Sequence, residues 1–148
     1  MIVAVGFDHR GVTLRDRVLT EVAAAGHEAL DLGTHTAVEP VDYPDVARAV
    51  GEAILDARAE RGILVCGSGV GASVAACKLP GIRAAVCHDA YSARQGVEHD
   101  DLNVLCLGSE IVGGELAGEL IRTFLGARFA AEGRFVRRLR KVAEMEER

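Results

Sequence analysis

Residues 62–73 read GILVCGSGVGAS, a short apolar run that ends in Cys66 and opens into a loop with glycines at 67, 69 and 71. Four more apolar, branched segments of strand length accompany it: IVAVGF (2–7), HEALDL (27–32), IRAAVC (82–87) and NVLCLG (103–108). Between them apolar residues return at helical spacing, first at Leu14, Val18, Leu19 and Val22, then at Val46, Val50, Ala53 and Ile54, and again at Leu116, Leu120, Ile121 and Leu125. Runs apolar on both faces, separated by helices, indicate a parallel sheet covered on both sides and joined by right-handed crossovers. The prediction is an α/β fold: one doubly wound, Rossmann-like domain over residues 1–148, with a five-stranded parallel sheet and helices on both faces. A final segment, roughly 132–145, carries Phe135, Val136, Leu139 and Val142 among basic residues and reads as an extra amphipathic C-terminal helix.

Bulk properties agree with this and narrow the partners. A chain of 148 residues that is 49% hydrophobic can bury one sizeable core. Its net charge of −5 argues against nucleic acid, because affinity for a phosphate backbone comes from clustered Lys and Arg. No stretch approaches the roughly 20 apolar residues of a membrane span, and MIVAVGF shows neither a basic n-region nor a cleavage pattern, so a cytoplasmic protein acting on a small polar metabolite is expected. Cys66, Cys77, Cys87 and Cys106 contain no C-x-x-C pair, which predicts free thiols, with Cys87 and Cys106 as core residues.

Ligands of a doubly wound fold bind beyond the carboxyl ends of the strands. Polar residues gather at those ends: Asp8-His9, Gly67 to Gly71, His88-Asp89 and Gly108-Ser109-Glu110. The glycine loop lacks the Lys of a P-loop and does not match G-x-G-x-x-G, so it supports neither an ATP site nor a dinucleotide site. It is either an ordinary tight turn or a cradle of N–H groups for an anion. Beside such N–H groups the Cys66 sulfur is placed to act as base or nucleophile. Asp8-His9 suits proton transfer, or Asp8 is a helix cap. His99 lies in the polar segment EHDDLN, which reads as a loop, where it is either functional or simply solvated. His27 and His35 read as surface or turn residues, and His88 stays open. Arg134 and Arg138, four residues apart, project from one helical face and form either a phosphate clamp or a solvated basic face.

Taken in order, G-x-D-H-x-G at Gly6 to Gly11, Asp42-Tyr43-Pro44, C-G-S-G-V-G at Cys66 to Gly71, A-x-K-x-x-G-I-R-A at Ala76 to Ala84, His99 with Asn103-Val104, and G-R-x-x-x-R at Gly133 to Arg138 resemble the type B ribose-5-phosphate isomerases and the related galactose-6-phosphate isomerase subunits. The resemblance covers nearly the whole chain. It implies an aldose–ketose isomerase of phosphorylated sugars that works through a cis-enediol, with no metal and no cofactor. By the same resemblance Cys66 moves a proton between C1 and C2. Ser68 and the backbone N–H groups of Gly67, Gly69, Val70 and Gly71 hold the enediolate oxygen. His99, with Asp8 nearby, opens the sugar ring, Tyr43 lies against the sugar, and His9, Arg134 and Arg138 bind the phosphate. Some members use instead a Glu six residues after the cysteine position, but that residue here is Ala72. The resemblance also implies a homodimer or homotetramer with sites shared between subunits. A non-catalytic sugar-phosphate-binding subunit is the alternative, against which the presence of Cys66, Ser68, His99 and both arginines weighs.

Two positions depart from the family pattern. Asp100 stands where Asn is usual after the ring-opening His, and Glu110 stands where many ribose-phosphate members carry Arg. Both make the substrate region more acidic, so a preferred sugar phosphate other than ribose 5-phosphate is expected.

Overall fold

In the computed structural model, which describes residues 1–147, the central strands divide their side chains between two cores. Strand β1 (Ile2–Phe7) sends Val3, Val5 and Phe7 to one side and Ala4 to the other; β3 (Arg61–Cys66) sends Ile63 and Val65 one way, Leu64 and Cys66 the other; β5 (Val104–Gly108) does the same with Leu105 and Leu107 against Val104 and Cys106. With both faces apolar, each strand needs cover on both sides. Helices α1 (Arg15–Ala24), α4 (Ala90–Asp100) and α5 (Gly114–Gly126) supply it on one face, and α2 (Tyr43–Leu55) and α3 (Val70–Ala76) on the other.

The sheet is parallel throughout, in the order β2-β1-β3-β5-β4, with β2 at Glu28–Asp31 and β4 at Ala84–Val86. The chain leaves β1 for β2 on one side and returns to β3 on the other. Loops after β1 and β3 therefore diverge and open a crevice between them, the position where such sheets bind ligands.

Five strands and the helical layers agree with the sequence reading, and the differences have local causes. The edge strands β2 and β4 are shorter than the apolar runs 27–32 and 82–87, each having a neighbour on one side alone. Leu14 closes a 3-10 turn (Gly11–Leu14) ahead of α1. His99 is not in a loop: it occupies the last turn of α4, which starts at the Asp89 cap and ends only at Asp101, in the left-handed region (φ 49°). Periodicity could not outline α4, because it buries only Ala93 and Val97.

The C-terminal helix α6 (Gly133–Glu144) packs on α4, and of its apolar residues only Phe135 is buried. Val136 and Val142 remain 48% and 47% exposed.

One buried carboxylate ties α1 to α5. Glu21 is 6% exposed and accepts from Arg17 Nε at 2.9 Å and Arg122 Nη1 at 2.8 Å. The hydrogen bond from Arg122 chiefly, and that from Arg17, hold its carboxyl below the usual carboxylate range against the opposing effect of burial. A depressed folded value means stability that is present above the unfolded pKa, about 4.3, and lost as pH falls through the folded one. We expect Glu21→Gln to lower stability by about 1–3 kcal/mol at pH 7 in denaturant unfolding, because charge-assisted bonds are replaced by weaker ones. The deficit should shrink as pH falls below about 4; a deficit independent of pH would contradict the charge assignment.

Candidate active site

Three loops meet at the carboxyl end of the sheet, and backbone hydrogen bonds fix them together. The Ser109 amide donates to the Cys66 carbonyl at 2.9 Å and the Glu110 amide to the Gly67 carbonyl at 3.0 Å. The Ser109 hydroxyl donates to the Arg10 carbonyl at 2.8 Å. The ends of β1, β3 and β5 thus form one rigid floor.

Cys66 closes β3 with its side chain nearly buried, at 5% exposure. The chain then turns through Gly69, whose φ of 81° lies in the left-handed region that a side chain would strain. That turn aims the Gly69 N–H at Cys66 Sγ, 3.1 Å away, so that the positive end of the N–H dipole faces the sulfur. Ser68 is exposed at the tip, and its hydroxyl accepts from the Val70 amide at 3.3 Å. Tyr43, the first residue of α2, lays its ring against Gly71: a Cβ there would come within 2.8 Å of the ring.

Asp8 is buried, and its Oδ1 accepts from the amides of Arg10 (2.9 Å) and Gly11 (2.8 Å). It ties down the amides that lead into the 3-10 turn, whose cap position is Arg10, so one of its oxygens is already committed to the backbone. His9 Nδ1 faces both the Val41 amide at 3.1 Å and the Val41 carbonyl at 3.3 Å; when it accepts from the amide, Nε2 carries the proton of the neutral ring. Asp8, His9, Tyr43, Cys66, Ser68 and the loop Gly67–Gly71 are therefore brought together.

His99, Asp100, Arg134 and Arg138 are not part of that group within one chain. Helix α4 leaves the carboxyl end of β4 and runs back, so its last turn lies at the amino end of the sheet, beside Arg83, whose Nε donates to the Asp101 carbonyl at 2.7 Å. Eleven residues separate the two ends by about 16 Å along the helix. The expectation that Asp8 is near His99 fails within one chain for this reason. A second cluster forms instead. The His99 ring stacks on Phe135 with centroids 4.1 Å apart, and the Arg134 guanidinium lies 4.7 Å from the centre of the same Phe135 ring. Arg138 follows one turn later, exposed.

His88, which the sequence left open, and Arg10, which it did not single out, also contribute. His88 accepts from the Gly108 amide at Nε2 (3.0 Å), and Gly108 pairs with Cys66 across the sheet, so His88 braces the floor from behind. Burial holds its ring below the usual imidazole range. Arg10 extends over Gly67 and pairs with Glu110 at 3.6 Å. Glu110 is consequently not an isolated negative charge.

The Ribose/Galactose Isomerase family profile matches residues 3–142. The chain belongs to that family. It is 40% identical to ribose-5-phosphate isomerase B of Escherichia coli over 146 residues, covering 99% of this chain and 97% of that one. It is 37% identical to the D-erythrulose-4-phosphate isomerase of Pectobacterium atrosepticum over 131 residues, covering 88% and 86%. The solved structure of Clostridium thermocellum ribose-5-phosphate isomerase B superposes with a TM-score of 0.95 at 44% identity, over 99% of this chain and 98% of that one. The fold and the enzyme class are accordingly those of a sugar-phosphate aldose–ketose isomerase. No helix among the described residues is long and apolar enough to cross a membrane.

The four thiols differ in environment. Cys77 is exposed, whereas Cys87 and Cys106 are buried, and burial pushes both of their thiols up, Cys106 well above the ordinary value. In native protein at pH 8 we expect iodoacetamide to label Cys77 and leave Cys87 and Cys106 unmodified until denaturant is added, as read by peptide mass spectrometry. Native labelling of Cys106 as fast as Cys77 would contradict the packing described.

Proposed function

We propose that this isomerase forms its active site from two chains and uses Cys66 as the proton-transferring base. The observation that carries the proposal is the Cys66 turn itself. A nearly buried sulfur sits at the switch point of the sheet with the Gly69 N–H on it, and Ala72 offers no carboxylate as a competing base.

In the open-chain aldose phosphate the Cys66 thiolate removes the proton from C2. The electron pair forms the C1–C2 double bond, and negative charge moves to O1. The N–H groups of Gly67 and Gly71, with the Ser68 hydroxyl, stabilise that oxygen where charge develops, while the Gly69 N–H holds the sulfur and the Val70 N–H holds the Ser68 hydroxyl. The proton is returned at C1 while the O2 proton passes to O1, so the ketose carries its carbonyl at C2 and a hydroxyl at C1; no external oxidant or reductant takes part. Tyr43 lies along the sugar, and His9 Nε2–H donates to the phosphate. Asp8 holds the loop that carries His9, with its second oxygen left for the sugar.

A ring-opening acid–base group and the Arg134–Arg138 pair complete this scheme, and the same chain carries them at the far end of the sheet. A second copy supplies them: its His99 opens the ring and its two arginines hold the phosphate. A homodimer is the smallest assembly that completes the site, and in it each chain gives one half to each of two sites. We further propose that the enzyme works in the cytoplasm on a four- to six-carbon aldose phosphate other than ribose 5-phosphate. With Glu110 paired to Arg10, that preference rests on Asp100.

Substituting Cys66 by Ala should lower kcat by about a thousandfold or more, the scale of a lost base in proton transfer, while sugar-phosphate binding by titration stays within about threefold. Activity surviving in that variant would refute the base assignment. A panel of tetrose, pentose and hexose phosphates reads the substrate preference, and highest kcat/KM for ribose 5-phosphate would overturn the specificity proposal.

A further inference from the structure

Arg10 lies between His9 and the Cys66 turn, and the catalytic scheme above gives it no part. Its backbone is fixed by two hydrogen bonds: its amide donates to Asp8 Oδ1 at 2.9 Å and its carbonyl accepts from Ser109 Oγ at 2.8 Å. From that anchor the side chain crosses Gly67. A Cβ at Gly67 would stand 2.6 Å from Arg10 Nη1 and 2.8 Å from Nε, so the guanidinium rests directly on the backbone beside Cys66. A side chain at position 67 would evict it.

The guanidinium has only a loose partner. Its Nη2 stands 3.6 Å from Glu110 Oε1, and the two side chains are 56% and 61% exposed. Exposed pairs at such a separation hold weakly. No hydrogen bond from the Arg10 side chain occurs among the described residues, so its five N–H donors are available to an anion. The planar fork suits a phosphate group, which accepts two parallel bonds. The imidazole of His9, a second donor of the site, belongs to the preceding residue.

We infer that Arg10 is an anion-binding residue of this active site: it leaves Glu110 when substrate enters and, together with His9, holds the substrate's phosphate from the Cys66-bearing chain. Glu110 keeps the guanidinium over Gly67 in the empty site and competes with the phosphate for it. The position that looked like a repulsive carboxylate in the sequence is thus the resting partner of a cation. This inference rests on the reading of the site as one for sugar phosphates.

The test uses the full-length oligomer and inorganic phosphate as probe, by isothermal titration, alongside steady-state kinetics on the best aldose phosphate of the panel. Arg10→Met should weaken phosphate binding and raise KM by about tenfold or more, with kcat within about threefold, because a charge-assisted bidentate contact is lost from binding and not from the proton transfer. Arg10→Lys should fall between the two, keeping the charge without the fork. Glu110→Gln should tighten phosphate binding about two- to fivefold by removing the competitor. Circular dichroism confirms folding, which this exposed side chain should not disturb. Phosphate affinity and KM within about twofold of wild type in Arg10→Met would overturn the inference, as would a weaker phosphate complex in Glu110→Gln for the part given to Glu110. A wild-type protein that binds phosphate through Arg10 yet turns over no aldose phosphate would sink the isomerase reading and leave Arg10 standing.

Discussion

A helix that joins two parallel strands must run back against them, and this constraint divides the candidate site residues between the two ends of the sheet. Everything at the carboxyl ends of β1, β3 and β5 is gathered by the sheet into one floor: Asp8, His9, Cys66 and the glycine turn. Everything carried on the last turn of α4 and on α6 is delivered to the opposite end. No side-chain rotamer can bridge a strand length of about 15 Å. In the homodimer proposed above a symmetric partner bridges it, a two-fold axis setting the amino end of one sheet beside the carboxyl end of the other.

The Cys66 half depends on backbone geometry far more than on charge. The left-handed turn at Gly69 and the amides donated from Ser109 and Glu110 hold the sulfur and the N–H groups in register before substrate arrives. Donors that are already aligned need no reorganisation as the enediolate forms, which is where such a site gains its rate. His88, buried and bonded to the Gly108 amide, extends the same rigidity behind the floor.

Sequence patterns revealed the layers readily, since β1, β3 and β5 are apolar on both faces and α2 and α5 carry clear stripes. They were silent on α4, whose two core residues make no stripe, and so His99 read as a loop residue. The members of the Cys66 half were legible because strand ends are where the architecture places ligands. A site shared between subunits entered only as an implication of family resemblance, since spacing along a chain does not say which end of a sheet a helix reaches. Arg10 was invisible for a related reason: its meaning comes from Gly67 and Glu110, which are 57 and 100 positions away in sequence and adjacent only in space.

Mixing two inactive variants tests the two-chain site most directly. Cys66→Ala keeps an intact His99, and His99→Asn keeps an intact Cys66, so a mixed dimer contains one wholly native site and one doubly altered site. Co-refolded at equal amounts, the pair should regain about a quarter of wild-type activity, half the dimers being mixed and half their sites native. Activity no higher than that of either variant alone, in a mixture shown to contain the mixed dimer, would contradict the account.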